Sequence, residues 1–185
     1  RRGRREMRRA ALLAAAFSLA AIPASAELSA AASSVDITPD PAKKDVWMAG
    51  FSMNRRATGV HDPIRSRALV ISDGKVTVAL VALDLVGFMR PHVEKIRVKV
   101  GDAATYVLVA STHDHEGPDA MGIWGPTPFV SGLDPAWIDA TIDAVAAQVK
   151  ALAVALKPVT IRAAQLASPV KDFVRDSRDP VVIDD

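Results

Sequence analysis

The 185-residue chain contains no cysteine, a single tyrosine and only 5% aromatic residues. Without a thiol there is neither a disulfide scaffold nor a thiolate metal site, so any bound metal would be held by imidazole and oxygen alone. A large excess of one charge is missing too: 23 basic residues stand against 21 acidic ones, a formal charge of +2. Six of the arginines fall in the first nine residues, directly ahead of an Ala/Leu-rich run. Without residues 1–26 the balance becomes 17 basic to 20 acidic residues, a net charge of −3, and most of the case for nucleic-acid binding goes with it. What is present is an apolar fraction of 50% with charges of both signs spread through the chain, which excludes wholesale disorder.

After Met7-Arg8-Arg9 comes a run from Ala10 to Ile22 broken only by Ser18, then Pro23, then Ala24-Ser25-Ala26 before Glu27. A positive region, a short apolar stretch and an A-x-A site in that order form an export signal, with cleavage expected after Ala26. The apolar stretch falls short of the ~20 residues that span a bilayer as a helix. Residues 1–26 are therefore expected to be a signal peptide and the mature chain to be secreted or periplasmic. Met7 offers an alternative start, and Arg8-Arg9 would also permit twin-arginine export.

In the mature part, Ala68–Ser72 and Val76–Asp84 read as two strands around a tight Asp73-Gly74 turn. The second is apolar at nearly every position, which predicts a central strand covered on both faces. Val93, Ile96 and Val100 recur at helical spacing behind Pro91, with Gly101 as the stop and His92 on the solvent side. Tyr106–Ser111 predicts another buried strand. Asp134-Pro135 opens a long helix whose stripe of Ile138, Ile142, Val145, Val149, Leu152 and Leu156 belongs to a core, and Val159–Ile161 resumes an extended pattern. The alternation predicts an α/β or mixed α+β layered sheet with flanking helices.

The buried strand runs directly into Thr112-His113-Asp114-His115-Glu116-Gly117-Pro118. In extended chain, residues i and i+2 project to the same side, ~6–7 Å apart at their origins, so His113 and His115 can converge on one metal. A site of nitrogen and oxygen ligands suits catalytic rather than structural zinc; the alternative is a pair of surface loop histidines. The metallo-β-lactamase pattern would need Asp and His where this chain has Gly117 and Pro118. An amidohydrolase barrel carries its H-x-H on the first strand, whereas here two strands and a helix precede it.

The stretch Ala110–Asp119 resembles the T-H-x-H-S-G-P-G-G signature of the neutral/alkaline ceramidase family. Val35–Pro39, Gly50-Phe51, Thr58–Asp62 leading into Arg65–Ala68, and Ala82–Leu85 agree in the same order, so the resemblance covers most of residues 35–120. It implies an exported zinc hydrolase that splits the amide of a ceramide-like lipid, with His113 as first zinc ligand. His115 is then an active-site neighbour of the metal, or a donor to the transition state. Metal-assisted hydrolysis is the implied chemistry, with His115 stabilising the developing oxyanion or moving a proton. The resemblance also places His61 near the pocket, a surface loop being the alternative. Asp84 either orients a metal-bound histidine or caps its strand. Glu116 stands where the family has Ser, and Asp119-Ala120 where it has Gly-Gly.

Arg65 and Arg67 read as partners in structural ion pairs. Trp124 and Phe129 read either as ordinary loop packing or as an apolar lip for an acyl chain; the expected partners are a small-molecule or lipid amide substrate and a transient membrane-surface contact, with no nucleic acid. Residues 27–185 are expected to be the N-terminal part of a larger hydrolase domain, inactive and aggregation-prone alone. Two other functions stay open: a secreted non-catalytic domain of this fold that binds a lipid or glycan, and a hydrolase of another small amide or ester.

Overall fold

The computed structural model describes residues 27–165. The expected signal peptide over 1–26 lies outside the described residues, as does the downstream part of the expected hydrolase domain from residue 166 on. Five strands form one sheet: β1 (Ser29–Asp36), β2 (Arg65–Ser72), β3 (Thr77–Leu83), β4 (Tyr106–Ser111) and the two-residue β5 (Lys157–Pro158). Their spatial order is β4-β3-β2-β1-β5. Only β3 and β4 run parallel, joined by the crossover helix α1 (Arg90–Val100); the other pairs are antiparallel. The second helix, α2 (Pro135–Ala153), packs on β1 and β2 and against α1. This is a mixed α/β fold.

The β2–β3 hairpin closes as the Asp-Gly signal predicts. Gly74 has φ +84°, which a side chain rarely adopts, and the Asp73 carboxylate accepts from the amides of Lys75 and Val76 at 2.8 and 2.7 Å. At α2, Asp134 caps by accepting from the Ala136 amide, and Pro135 needs no partner in the first turn. The expected stripe is buried within the helix, and it also carries a polar tether. Gln148 accepts from Ser66 Oγ at 2.7 Å and donates to Ser33 O and Ser66 O at 3.0 and 3.2 Å, locking α2 to β1 and β2. Near the helix start, Trp137 Nε1 donates to Ile37 O at 2.8 Å.

One strand had no counterpart in the sequence expectations, and two features differ from them. β1, built from SAAASSVD, has almost no β-branched or aromatic residues, yet pairs along its whole length with β2. Val159–Ile161 is not a strand; β5 ends at Pro158, and the Val159 amide donates to Leu28 O. The central strand β3 is covered on one face only by the described residues. Ala79, Val81 and Leu83 lie under the helices, while Leu80 on the other face sits in a row with Leu69 of β2 and Leu108 of β4. All three leucines of that row are at least 36% exposed.

His92 differs as well. Rather than facing solvent, it is half-buried against Phe88, with ring centroids 5.3 Å apart and Nδ1 unpartnered among the described residues. Burial, aided by the Lys95 charge, pushes its pKa below the ordinary 6.5, against a smaller pull from Asp139. The unfolded chain therefore binds this proton more readily. The stability His92 contributes is complete above about pH 6.5 and is lost as pH falls through the lower folded value. His92→Gln is expected to lose less stability on acidification than the parent between about pH 7 and about pH 5, measured as urea midpoints.

Candidate metal centre

The candidate site lies where the parallel pair β3 and β4 ends, the edge at which open α/β sheets present ligand-binding loops. Leu83 O accepts from the Thr112 amide at 2.9 Å, and Leu85 O accepts from the amides of His113 and Asp114 at 3.0 and 3.2 Å. The post-β3 loop thus grips the first turn of the post-β4 loop. His113 takes φ +64° there, a left-handed conformation costing a non-glycine residue about 1 kcal/mol or more. The segment is therefore a turn rather than extended chain, and the turn brings the two imidazoles together.

His113 Nδ1 lies 2.7 Å from Val86 O. A carbonyl only accepts, so Nδ1 carries the proton and Nε2 is left with its lone pair. That nitrogen faces His115 Nε2 at 3.1 Å, with ring centroids 4.7 Å apart. Two imidazole nitrogens on one tetrahedral zinc sit roughly 3.3 Å apart, given bonds of about 2.0–2.1 Å, so the donor pair fits zinc in type and spacing. Among the described residues no group of three or more His, Cys, Asp or Glu gathers around a common point. The pair accounts for at most two positions of a zinc shell.

A hairpin of residues 46–57 covers His115. It closes through Met48–Arg55 and Ala57–Val46 backbone bonds and joins the His loop through Ala49–Gly117 and Asp119–Trp47 bonds. Gly50, at φ +103°, lies so close that an added Cβ would fall 2.5 Å from His115 Cβ. Phe51 meets the His115 ring edge-on, with centroids 5.2 Å apart.

On its other side the His loop bounds a cavity of about 640 Å³ whose wall includes His61, Arg67, Asp84, Asp114 and Glu116. His113 and His115 are not part of that wall. The structure thus brings His113 and His115 together and sets His61 and Asp84 apart from them. The His61 side chain is 97% exposed and pairs with Asp62 at 2.6 Å. Asp84 accepts from the Arg65 amide at 3.0 Å and from Arg67 Nη1 through both oxygens, the geometry of a strand-end cap with an ion pair. Val86 O, not Asp84, orients His113.

Sequence reasoning read Asp119 only as a carboxylate beside the candidate metal, where the ceramidase family has Gly. Only 1% exposed, it accepts from four successive amides: Met121, Gly122 and Ile123 through Oδ1, Trp124 through Oδ2. It folds the 119–124 loop over the hairpin, where Trp124 Nε1 donates to Phe51 O at 3.3 Å and Asn54 N to Gly125 O at 2.7 Å. An acidic residue next to a Pro and followed by small residues was the available signal. Trp124 accordingly packs within the loops, while Phe129 is 97% exposed.

No protein-family model matches the chain, and no curated protein does. Among solved structures, the neutral ceramidase from Pseudomonas aeruginosa is similar at TM-score 0.58 and 23% identity over 71% of this chain and 22% of that chain. A ceramidase complexed with C2 is similar at TM-score 0.58 and 22% identity, with the same coverage of each chain. The likeness is one of fold. This chain spans 22% of the length of these neighbours. Among the described residues no helix is long and apolar enough to cross a membrane.

Proposed function

We propose that this chain is the N-terminal part of an exported, zinc-dependent hydrolase acting on the amide of a ceramide-like N-acyl lipid. The observation that carries this reading is the His113–His115 pair, one Nε2 3.1 Å from the other with the first tautomer fixed by Val86 O, on a ceramidase-like fold. The resemblance of residues 110–119 to the ceramidase signature supports the same reaction, and the leader at 1–26 supports export.

His113 Nε2 is the atom that would hold the metal. A zinc bound there supplies Lewis-acid polarisation of the scissile carbonyl and activation of water near neutral pH. His115 then donates from its ring to the oxygen on which negative charge develops, or passes a proton to the leaving amine. The Gly50–Phe51 hairpin leaves His115 half-buried while His113 stays open to an incoming substrate, and the exposed Phe129 supplies a transient contact with a membrane surface.

Elemental analysis of the full-length protein, together with fatty-acid release from N-acyl sphingoid amides, tests the proposal. One zinc per chain is expected, with hydrolysis abolished by a chelator and restored by zinc. A metal-free active enzyme would sink it. Zinc without turnover on a panel of amides and esters would favour the non-catalytic lipid- or glycan-binding domain.

A further inference from the structure

His113 has its own anchor in Val86 O, but among the described residues the only polar partner of the His115 ring is His113 itself. A single guanidinium ties the hairpin over His115 to the backbone of His115 itself. Arg55 Nη1 donates to Ala49 O at 3.3 Å and to His115 O at 3.4 Å, across 60 residues of sequence. Its Nη2 donates to Glu116 Oε2 at 2.9 Å. Its carbon centre lies 4.9 Å above the Phe51 ring, the same ring that meets His115 edge-on. The Arg55 side chain is only 26% exposed.

We propose that Arg55 is the positioning residue for His115, and that Glu116 serves as its partner rather than as a free charge beside the metal. The inference rests on the zinc reading of the His pair. The Arg55–Glu116 ion pair is itself a minor contribution, because the Glu116 side chain is 64% exposed and such pairs are worth at most about 1 kcal/mol. The guanidinium acts through geometry: a rigid fork satisfies acceptors on two segments at once while its face supports Phe51. A lysine ammonium keeps the charge but not that fork. The carboxylate at 116 therefore balances the arginine under the His loop.

A double-mutant cycle in the full-length protein tests this, read as kcat for N-acyl amide hydrolysis, with the His115 imidazole NMR signals of the metal-free protein and zinc affinity measured beside it. Arg55→Met is expected to lower kcat about 10-fold and to shift the His115 ring signals, while zinc affinity, held by His113, stays within about 2-fold; Arg55→Lys is expected to lower kcat by less. In a His115→Ala background the same Arg55→Met change is expected to cost less than about 2-fold, since its effect runs through His115. Glu116→Gln, which leaves the Arg55 bonds to the carbonyls in place, should also stay within about 2-fold. Thermal unfolding of each metal-free variant identifies any that fail to fold, in which case Arg55→Lys carries the comparison. Equal losses in both backgrounds, or no loss from Arg55→Met, overturn the positioning role while leaving the zinc reading intact. A parent protein that binds no zinc overturns both.

Discussion

His113→Ala in the full-length protein is expected to lower zinc affinity by more than about 100-fold, above the range seen when only an orienting partner is lost. Two features put His113 rather than His115 at the centre of this prediction. Its Nδ1 proton is committed to Val86 O, so Nε2 is presented as a lone pair before any metal arrives. Its backbone is held at φ +64° by amide bonds to Leu85 O, so the chain accepts local strain to aim the ring. That strain makes a second, opposite prediction for stability. His113→Gly removes the same imidazole but suits a left-handed backbone, and is expected to be more stable than His113→Ala by about 1 kcal/mol. Chelator competition and urea midpoints on the two variants separate the roles. Stoichiometric zinc retained by both, or an alanine variant at least as stable as the glycine one, would contradict the geometry.

The hairpin β2–β3, the crossover helix and the start of α2 were legible because each carries a local signal: an Asp-Gly turn, helical spacing behind a proline, an Asp-Pro cap. β4 was legible as a strand from its unbroken apolar run, but not as the buried strand expected, since among the described residues it forms the sheet edge with Tyr106 and Leu108 exposed. β1 was not legible, since Ala and Ser carry little strand preference and the strand forms only because β2 offers a full ladder and Gln148 reaches Ser33. Two-sided cover of β3 was read from residues that are indeed apolar on both faces, yet the described residues supply helices to one face only.

At the site, the pairing of His113 with His115 was legible from H-x-H spacing, while the means of pairing was not. A left-handed residue in a turn between two gripping carbonyls leaves no mark in the spacing. The hairpin over His115 was invisible for a related reason. Gly50, Phe51 and Arg55 are distant in sequence from the motif, and an arginine between Asn54 and Arg56 reads as an ordinary loop residue until the fold shows which carbonyls it meets.

Asp119 carries the largest stability prediction. Its carboxylate is buried and has no cation within ion-pairing distance among the described residues; its charge is met by four backbone amides instead. Asp119→Ala leaves those four donors without a partner in a loop that closes over the Gly50–Phe51 hairpin, and is expected to cost about 3 kcal/mol or more. Asp119→Asn is the more informative change. Its amide oxygen can take the place of Oδ1 and keep the bonds from Met121, Gly122 and Ile123, but its NH2 group then faces the Trp124 amide, donor against donor. An intermediate loss is therefore expected, with the disturbance concentrated at Trp124, whose indole otherwise donates to Phe51 O. Denaturant unfolding ranks the three proteins, and indole fluorescence at moderate denaturant reports whether the Trp124 loop opens before the sheet does. If Asn and Ala are equally mild, below about 1 kcal/mol, the loop is held by its other contacts and the amide nest is incidental. If Asp119→Ala instead releases the loop first, kcat should fall with it, because the hairpin that backs His115 loses the cover supplied by Trp124 and Gly125.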